Sequence, residues 1–396
     1  MDEFQDTTQA QFDLVQAVFH GTPTIMTAVG DNKQQIMRFA LAMDDPFGEF
    51  ERSFNAKRIP LLSNYRSSPE LVRIQHVLAQ ALDSATVPTQ SQAAASIPDA
   101  CCFVLDFSTA NIEASSLAQY VASQMREHSL RPNDFVLLVR QKADDYVHLL
   151  KPAFAAEGIQ LRNEAAYVGA QMLQELLTEP LSELLVLILR LTCTVRKAAI
   201  WSDAQHALAR MRGILPGDDR AHRILARDLD AFARGFSMQY PRPPDTEANA
   251  RSAIQAVVGF LGRETLIAAH SAYGQGSWLQ EVENSLTLHL QSSAAQSPDW
   301  DAALAVYEGT NALPLMTLHK SKGMEYHTVI LIGLDDSSWW SYAKDTAEAT
   351  AGFFVAFTRA KQRVIFTYTP ERGARTNIAP LYNLLATAGI RTSSVG

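Results

Sequence analysis

The chain opens on Asp2-Glu3-Phe4-Gln5-Asp6, three carboxylates and an amide within a short span. Adjacent carboxylates at a strand end suit nucleotide hydrolysis. One holds Mg²⁺ through its water shell, and the other polarises the attacking water. The same acids also serve as solvated charge ahead of a helix, where the dipole favours them. Four further stretches carry reactive side chains. Gly30-Asp31-Asn32-Lys33-Gln34 follows an apolar run. Its polar turn either brings Gln34 near a phosphate or is only a turn. Asn64-Tyr65-Arg66-Ser67 sets an aromatic beside a guanidinium, for a base and a phosphate or for local packing and an ion pair. Residues 317–325, Thr-Leu-His-Lys-Ser-Lys-Gly-Met-Glu, run out of an apolar strand and offer donors at a sheet's C-terminal edge. Arg359 stands on the otherwise apolar stretch 355–361, and such an arginine needs an anionic partner, internal or bound.

Apolar spacing predicts the elements that must position these groups. Phe12, Val15, Val18 and Phe19 fall at helical spacing, which predicts a helix over 6–19 capped by Asp6 or Thr7. Residues 24–29 read as a buried strand and 59–62 as a short one. Ser68-Pro69-Glu70 starts a helix with Ser68 as its cap. Residues 85–99 form a polar linker. Strands at 101–107, 135–139 and 159–162 then alternate with helices at 113–127 and 144–157. From 171 to 293 helical patterns dominate, beginning with a Leu-rich core helix over 172–191. A second linker covers 292–301. Strands at 314–318, 328–334 and 364–368 follow, with helices at 347–361 and 379–388. Strands separated by helices imply parallel pairing through right-handed crossovers, so the fold class is α/β with an all-α insertion.

At 396 residues the chain accommodates two or three domains. A net charge of −8 neither favours nor excludes nucleic acid, because a strand channel needs only a local basic lining. Cys101, Cys102 and Cys193 form no disulfide framework or metal pattern, which reads as reduced core thiols in a cytoplasmic protein. The longest apolar run, 184–189, is far too short to span a bilayer, and the acidic start has no signal-peptide character.

The five stretches read DEFQDT, GDNKQQIMRFALA, NYRS, TLHKSKGME and VAFTRAK in chain order. In order and wording this closely resembles the UvrD/Rep-like family of superfamily 1 DNA helicases. The resemblance implies a RecA-like parallel sheet domain with an α insertion, an ATP and Mg²⁺ site, and 3′-to-5′ motion on single-stranded DNA. It implies that Asp2 and Glu3 hold Mg²⁺ and that Glu3 is the catalytic base. Gln34 would sense the γ-phosphate, and Arg66 and Arg359 would stabilise charge on the transferring phosphoryl group. Gln5, Tyr65 and Glu325 would contact the nucleotide, Tyr65 by stacking on adenine and Glu325 at the ribose. Phe39, Thr317, His319 and Lys322 would meet the DNA strand, Phe39 by stacking on a base.

The chain departs from that family's pattern in two places. Met37 stands where the family has Tyr, and Ala40-Leu41 where it has Arg-Gly. The family's Gly-Lys-Thr phosphate loop lies upstream of the acidic pair, and these residues contain no Gly-Lys dipeptide. The expected layout is therefore a truncated first RecA-like domain over 1–58, the second RecA-like domain over 59–168 and 305–396, and the α-helical insertion over 169–304. Apolar faces uncovered in 1–45 predict poor solubility or partial disorder there. The expected partners are single-stranded DNA, duplex junctions and a polypeptide supplying the phosphate loop, with no membrane. The competing expectation is a catalytically silent module that binds DNA or protein.

Overall fold

A computed structural model describes residues 1–36, 41–97, 100–194, 198–295 and 297–395. The chain forms two compact units, one from 1–161 with 313–396 and the other from 162–312. The expected domain boundaries are finer than this division.

Seven strands build one sheet: β1 (Cys102–Phe107), β2 (Phe135–Val139), β3 (Gln160–Asn163), β4 (Ala312–Thr317), β5 (Tyr326–Leu331), β6 (Ala360–Tyr368) and β7 (Thr392–Val395). Their order is β7-β1-β6-β5-β2-β4-β3, and the pairings from β7 through β4 are parallel. The α/β reading with parallel pairing therefore holds. Phe135-Val136-Leu137-Leu138-Val139 is buried along its whole length, the pattern of a strand covered on both faces. The helix Thr346–Thr358 is buried from Ala349 onward, and the Asp345 carboxylate caps it by accepting from Glu348 N at 2.8 Å.

The crossover from β4 to β5 is short, and it matters for the site. Val139 pairs with Thr317, whereas Phe135 pairs with Thr328. Residues 318–325 must therefore carry the chain from the C-terminal edge of the sheet back towards its N-terminal edge. His319 starts that path and Glu325 ends it.

Residues 1–56 pack a small aromatic core of their own. Phe4, Phe12, Met43 and Phe50 are buried together, and Phe4 meets Phe47 and Phe50 edge-on at 5.4 and 5.3 Å. Pairs of this kind add about 0.5–1.5 kcal/mol each beyond area burial. Leu14, Val18 and Ile25 stay exposed, Ile25 at 92%. The unit 162–312 is helical, with buried Leu185, Ile188 and Leu189 of Pro180–Cys193 in its core.

Several local expectations are corrected. Residues 24–29 form no strand. Among the described residues their backbone–backbone bonds run to residues 1–4, with Met1 N donating to Thr27 O, Val29 N to Met1 O and Phe4 N to Val29 O, and Thr24 N donates to the Thr22 hydroxyl. A ladder needs more partners than that. Residues 59–62 are exposed and irregular, and the pairing begins only at Ser63–Asn64 with Gln90–Ser91 inside the expected linker. The first helix is Gln9–Phe19, capped by Thr8 in a reciprocal arrangement with Gln11 rather than by Asp6 or Thr7. Ser68 is at the expected cap position, yet its side chain makes no capping bond. The helix expected over 172–191 breaks before Pro180, whose ring cannot continue it. The expected linker 292–301 is shorter than its limits, since 292–294 end the helix Trp278–Ala294 and 300–301 begin the helix Trp300–Glu308. Lys361 lies in β6 rather than in the preceding helix.

Candidate functional site

The acidic opening folds back on itself. Glu3 takes a left-handed backbone (φ 49°), which costs a non-glycine residue on the order of 1–2 kcal/mol. The amide Nε2 of Gln5 donates to Glu3 Oε2 at 2.5 Å, while Gln5 Oε1 accepts from Asp31 N at 3.1 Å. Gln5 is buried, so its two contacts tie the acidic stretch to the 30–35 turn. Gln35 completes the tie by donating to Gln5 O and Met43 O at 2.9 and 2.6 Å. Asp2 is exposed and accepts from Glu3 N through Oδ1 at 2.9 Å.

Gly30 is where this tie leaves no space. An added Cβ would lie 2.1 Å from Gln5 Oε1 and 3.0 Å from Phe4 N. Gly30→Ala is expected to push Gln5 aside and to cost about 1–3 kcal/mol. A lowered urea midpoint checks this, and an unchanged midpoint contradicts it.

Lys322 comes to the acids from the other end of the sequence. Its Nζ is 2.9 Å from Glu3 Oε2 and also bonds to Asp6. Partial burial raises the Glu3 carboxyl's affinity for a proton. The Lys322 ammonium and the Gln5 amide outweigh it and hold the group below the usual carboxylate range. Lys322, read from sequence as a DNA contact, thus neutralises two carboxylates here.

Arg359 closes the helix Thr346–Thr358 and is 3% exposed. Its Nε donates to Val355 O at 3.1 Å, Nη1 to Met324 O at 3.4 Å, and Nη2 to Gln34 Oε1 at 2.8 Å. Burial and the neighbouring Arg66 lower the guanidinium to about 10, against the pull of Glu3 and Glu325. Gln34 also donates to Asp31 Oδ2 at 3.3 Å. The structure therefore brings Gln34 and Arg359 into direct contact across 325 positions of sequence.

The Asn64-Tyr65-Arg66-Ser67 turn is stitched to the start of β6. Asn64 Oδ1 accepts from Arg66 N and Ser67 N, and Ser67 Oγ donates to Ala360 O at 2.7 Å. Arg66 Nε donates to Glu325 Oε2 at 2.9 Å and Nη1 to Thr358 O at 3.1 Å. Lys361 joins Glu325 at 2.7 Å, and the two cations hold its carboxyl below the ordinary range, Lys361 first. Tyr65 is 78% exposed. Asp2, Glu3, Gln5, Gln34, Tyr65, Arg66, Glu325 and Arg359 thus fall into one linked region of the first unit.

His319 is paired differently. Its ring nitrogens are 3.4–3.5 Å from Arg140 Nη1, at the C-terminal ends of β4 and β2. Burial, with Arg140 adding, lowers the imidazole to about 4, so it is neutral at pH 7. Thr317 ends β4 beside it. Phe39, with Met37 and Ala40, lies outside the described residues. Sequence reasoning missed Arg140 and Lys361. A cation placed directly after the buried strand 135–139 was the available signal for Arg140. Lys361 closes the VAFTRAK stretch, but its partner Glu325 is remote in sequence.

Among the described residues, no three His, Cys, Asp or Glu side chains converge as a metal cluster. Mg²⁺ does not require one: it takes one or two carboxylates, waters and substrate phosphates. The exposed Asp2 and half-exposed Glu3 carboxylates offer the hard oxygens this needs. No helix among the described residues is long and apolar enough to cross a membrane.

Comparison with known proteins gives two family matches. The UvrD/REP helicase N-terminal domain matches residues 1–55, and the UvrD-like helicase C-terminal domain matches residues 278–371. A probable DNA helicase II homolog of Mycoplasma capricolum subsp. capricolum is 24% identical over 93% of this chain and 54% of its own length. A putative ATP-dependent DNA helicase of Bacillus subtilis (strain 168) is 23% identical over 95% of this chain and 52% of its own. The chain spans about half the length of both relatives.

Proposed function

The chain belongs to the UvrD/Rep-like helicases, and from that premise we propose that it is part of an ATP-driven motor. The motor would translocate 3′-to-5′ on single-stranded DNA and unwind duplexes at junctions. One observation carries the ATP reading: the buried Arg359 guanidinium is held against Gln34, with Arg66 and Glu3 acting on it electrostatically. Two guanidiniums, an amide and a carboxylate around one locus are the groups that phosphoryl transfer uses.

The residues then take these parts. Glu3, kept ionised by Lys322 and Gln5, accepts a proton from the attacking water. Gln34 and Arg359 orient on the γ-phosphate, and Arg66 adds the second cation. Tyr65 stacks on the adenine, Glu325 reads the ribose, and Gln5 fixes Glu3 relative to the 30–35 turn. Asp2 and Glu3 would hold Mg²⁺, which neutralises phosphate charge and orients the water when bound. Thr317, His319 and Phe39 contact the DNA strand, with Lys322 midway along the 318–325 path. Residues 318–325 run from the His319 edge to the Glu325 edge, a covalent path by which strand contact alters the nucleotide locus.

Residues 1–58 fit the reading as the end of a first RecA-like domain, completed by a polypeptide that supplies a phosphate loop. A second reading, a catalytically silent DNA- or protein-binding module, is favoured by Lys322, whose ammonium occupies the Glu3 and Asp6 carboxylates. ATP turnover on oligothymidylate, measured with and without a polypeptide carrying a Gly-Lys-Thr loop, separates them. Turnover that appears only in the mixture supports the motor. A stable mixture without turnover supports the silent module.

A further inference from the structure

Two arginines are buried among the described residues, Arg359 and Arg363, each 3% exposed. Neither forms an ion pair with a carboxylate among those residues. A buried guanidinium without an anion is costly, so each calls for one from outside the fold. Arg359 is assigned above to a nucleotide phosphate. Arg363 follows it in β6, opposite Thr328 of β5, and the proposed motor gives it no part.

The Arg363 side chain is held from one side. Its Nη1 donates to Tyr120 Oη at 2.6 Å and to Gln124 Oε1 at 2.5 Å, both on the helix Ala110–His128. The ring centres of Phe103 and Tyr120 lie 5.6 and 5.9 Å from the guanidinium carbon. These neutral groups orient the charge without cancelling it. Nε is buried and has no hydrogen-bond partner among the described residues. Both bonds use Nη1, so the Nε–Nη2 edge, which takes an oxyanion side-on, has no acceptor among them. The surroundings add positive charge. Burial lowers the His327 imidazole most, with Arg363, His128 and Lys361 adding and Asp134 opposing. His327, His128, Gln124 and Lys361 are half-buried, so the cluster reaches the surface.

We infer that Arg363 is the centre of a phosphate-binding site separate from the nucleotide locus. Two oxygens of the anion accept from Nε and Nη2, while Tyr120 keeps Nη1 in place. Gln124 competes for the guanidinium, because its amide oxygen shares Nη1 with Tyr120. Free phosphate and the backbone phosphates of DNA present the same oxygens.

The test is calorimetric titration of inorganic phosphate into the 396-residue chain. Arg363→Gln is expected to weaken binding at least about tenfold, the scale of a charge-assisted hydrogen bond. Gln124→Ala removes a competing acceptor and should tighten binding about two- to fivefold. Alanine suits this half-buried helical position, so the second readout stands even where Arg363→Gln fails to fold. Arg359→Gln retains the binding. Competition by oligothymidylate identifies a DNA phosphate as the ligand, and its absence identifies free phosphate; the site stands in both cases. If Arg359→Gln abolishes binding and Arg363→Gln does not, phosphate sits at the nucleotide locus, and this inference falls while the ATP reading stands. If the parent binds no phosphate, or if neither Arg363→Gln nor Gln124→Ala changes its affinity, the inference falls as well.

Discussion

Arg359→Ala is expected to lower DNA-stimulated ATP turnover by about 10³-fold in a motor completed with a phosphate loop, the scale on which arginine fingers act. The geometry explains why the loss should be that large. Backbone carbonyls of Val355 and Met324 hold Nε and Nη1, and Nη2 is shared between the Thr358 hydroxyl and Gln34 Oε1. The guanidinium is thus aimed before any ligand arrives, and preorganised charge costs no rearrangement at the moment of reaction. Arg359→Lys should recover little, because one ammonium cannot keep both backbone contacts and still reach forward. Nucleotide affinity should change far less than turnover if the charge acts on the transition state. A turnover loss below about tenfold would remove Arg359 from that role.

Lys322→Ala is the second large effect, and it is read in stability. Lys322 and Asp6 side chains are only 16% and 17% exposed, and Lys322 is shared between Asp6 and Glu3. Without the ammonium, two carboxylates are left without their shared cation, and Asp6 Oδ1 is already buried with no hydrogen-bond partner among the described residues. Breaking a largely buried pair by removing one member costs about 3 kcal/mol. Lys322→Met keeps the apolar stem and should cost nearly as much, which assigns the loss to charge rather than packing. The pH dependence has a definite sign. Lys322 lowers the Glu3 carboxyl in the folded state, so its contribution is present above the ordinary Glu value of 4.5. It is lost as pH falls through the lowered folded value. Parent and variant should therefore differ most above pH 4.5 and converge in stronger acid. Urea titrations at several pH values check this, and a pH-independent difference contradicts it.

The sheet was legible because its strands are short apolar runs bounded by helices. Phe135–Val139 was read with its observed limits. The 24–29 run was misread for a physical reason: apolar sequence makes a strand only where neighbours supply ladders, and Ile25 has almost none. The site residues were legible by resemblance, but their mutual contacts were not. Gln34 and Arg359 give no sequence signal of each other, and neither do Lys322 and Asp6. Long-range ion pairs and hydrogen bonds depend on chain return paths, here the 318–325 crossover. Ser67 shows the opposite case. In sequence it belongs to a reactive stretch, whereas its hydroxyl is spent on Ala360 O and fixes the turn that presents Arg66.

The account centres on Glu3 as the base of an ATP-driven motor, so its direct test is Glu3→Gln. The measurement is ATP turnover on oligothymidylate by the chain supplied with a polypeptide bearing a phosphate loop. Glu3→Gln is expected to lower turnover by about 10²–10⁴-fold, the usual contribution of a general base. Gln keeps the size of Glu3, so the urea midpoint should fall only by the lost Lys322 pairing. Turnover by Glu3→Gln equal to that of the parent would contradict the account.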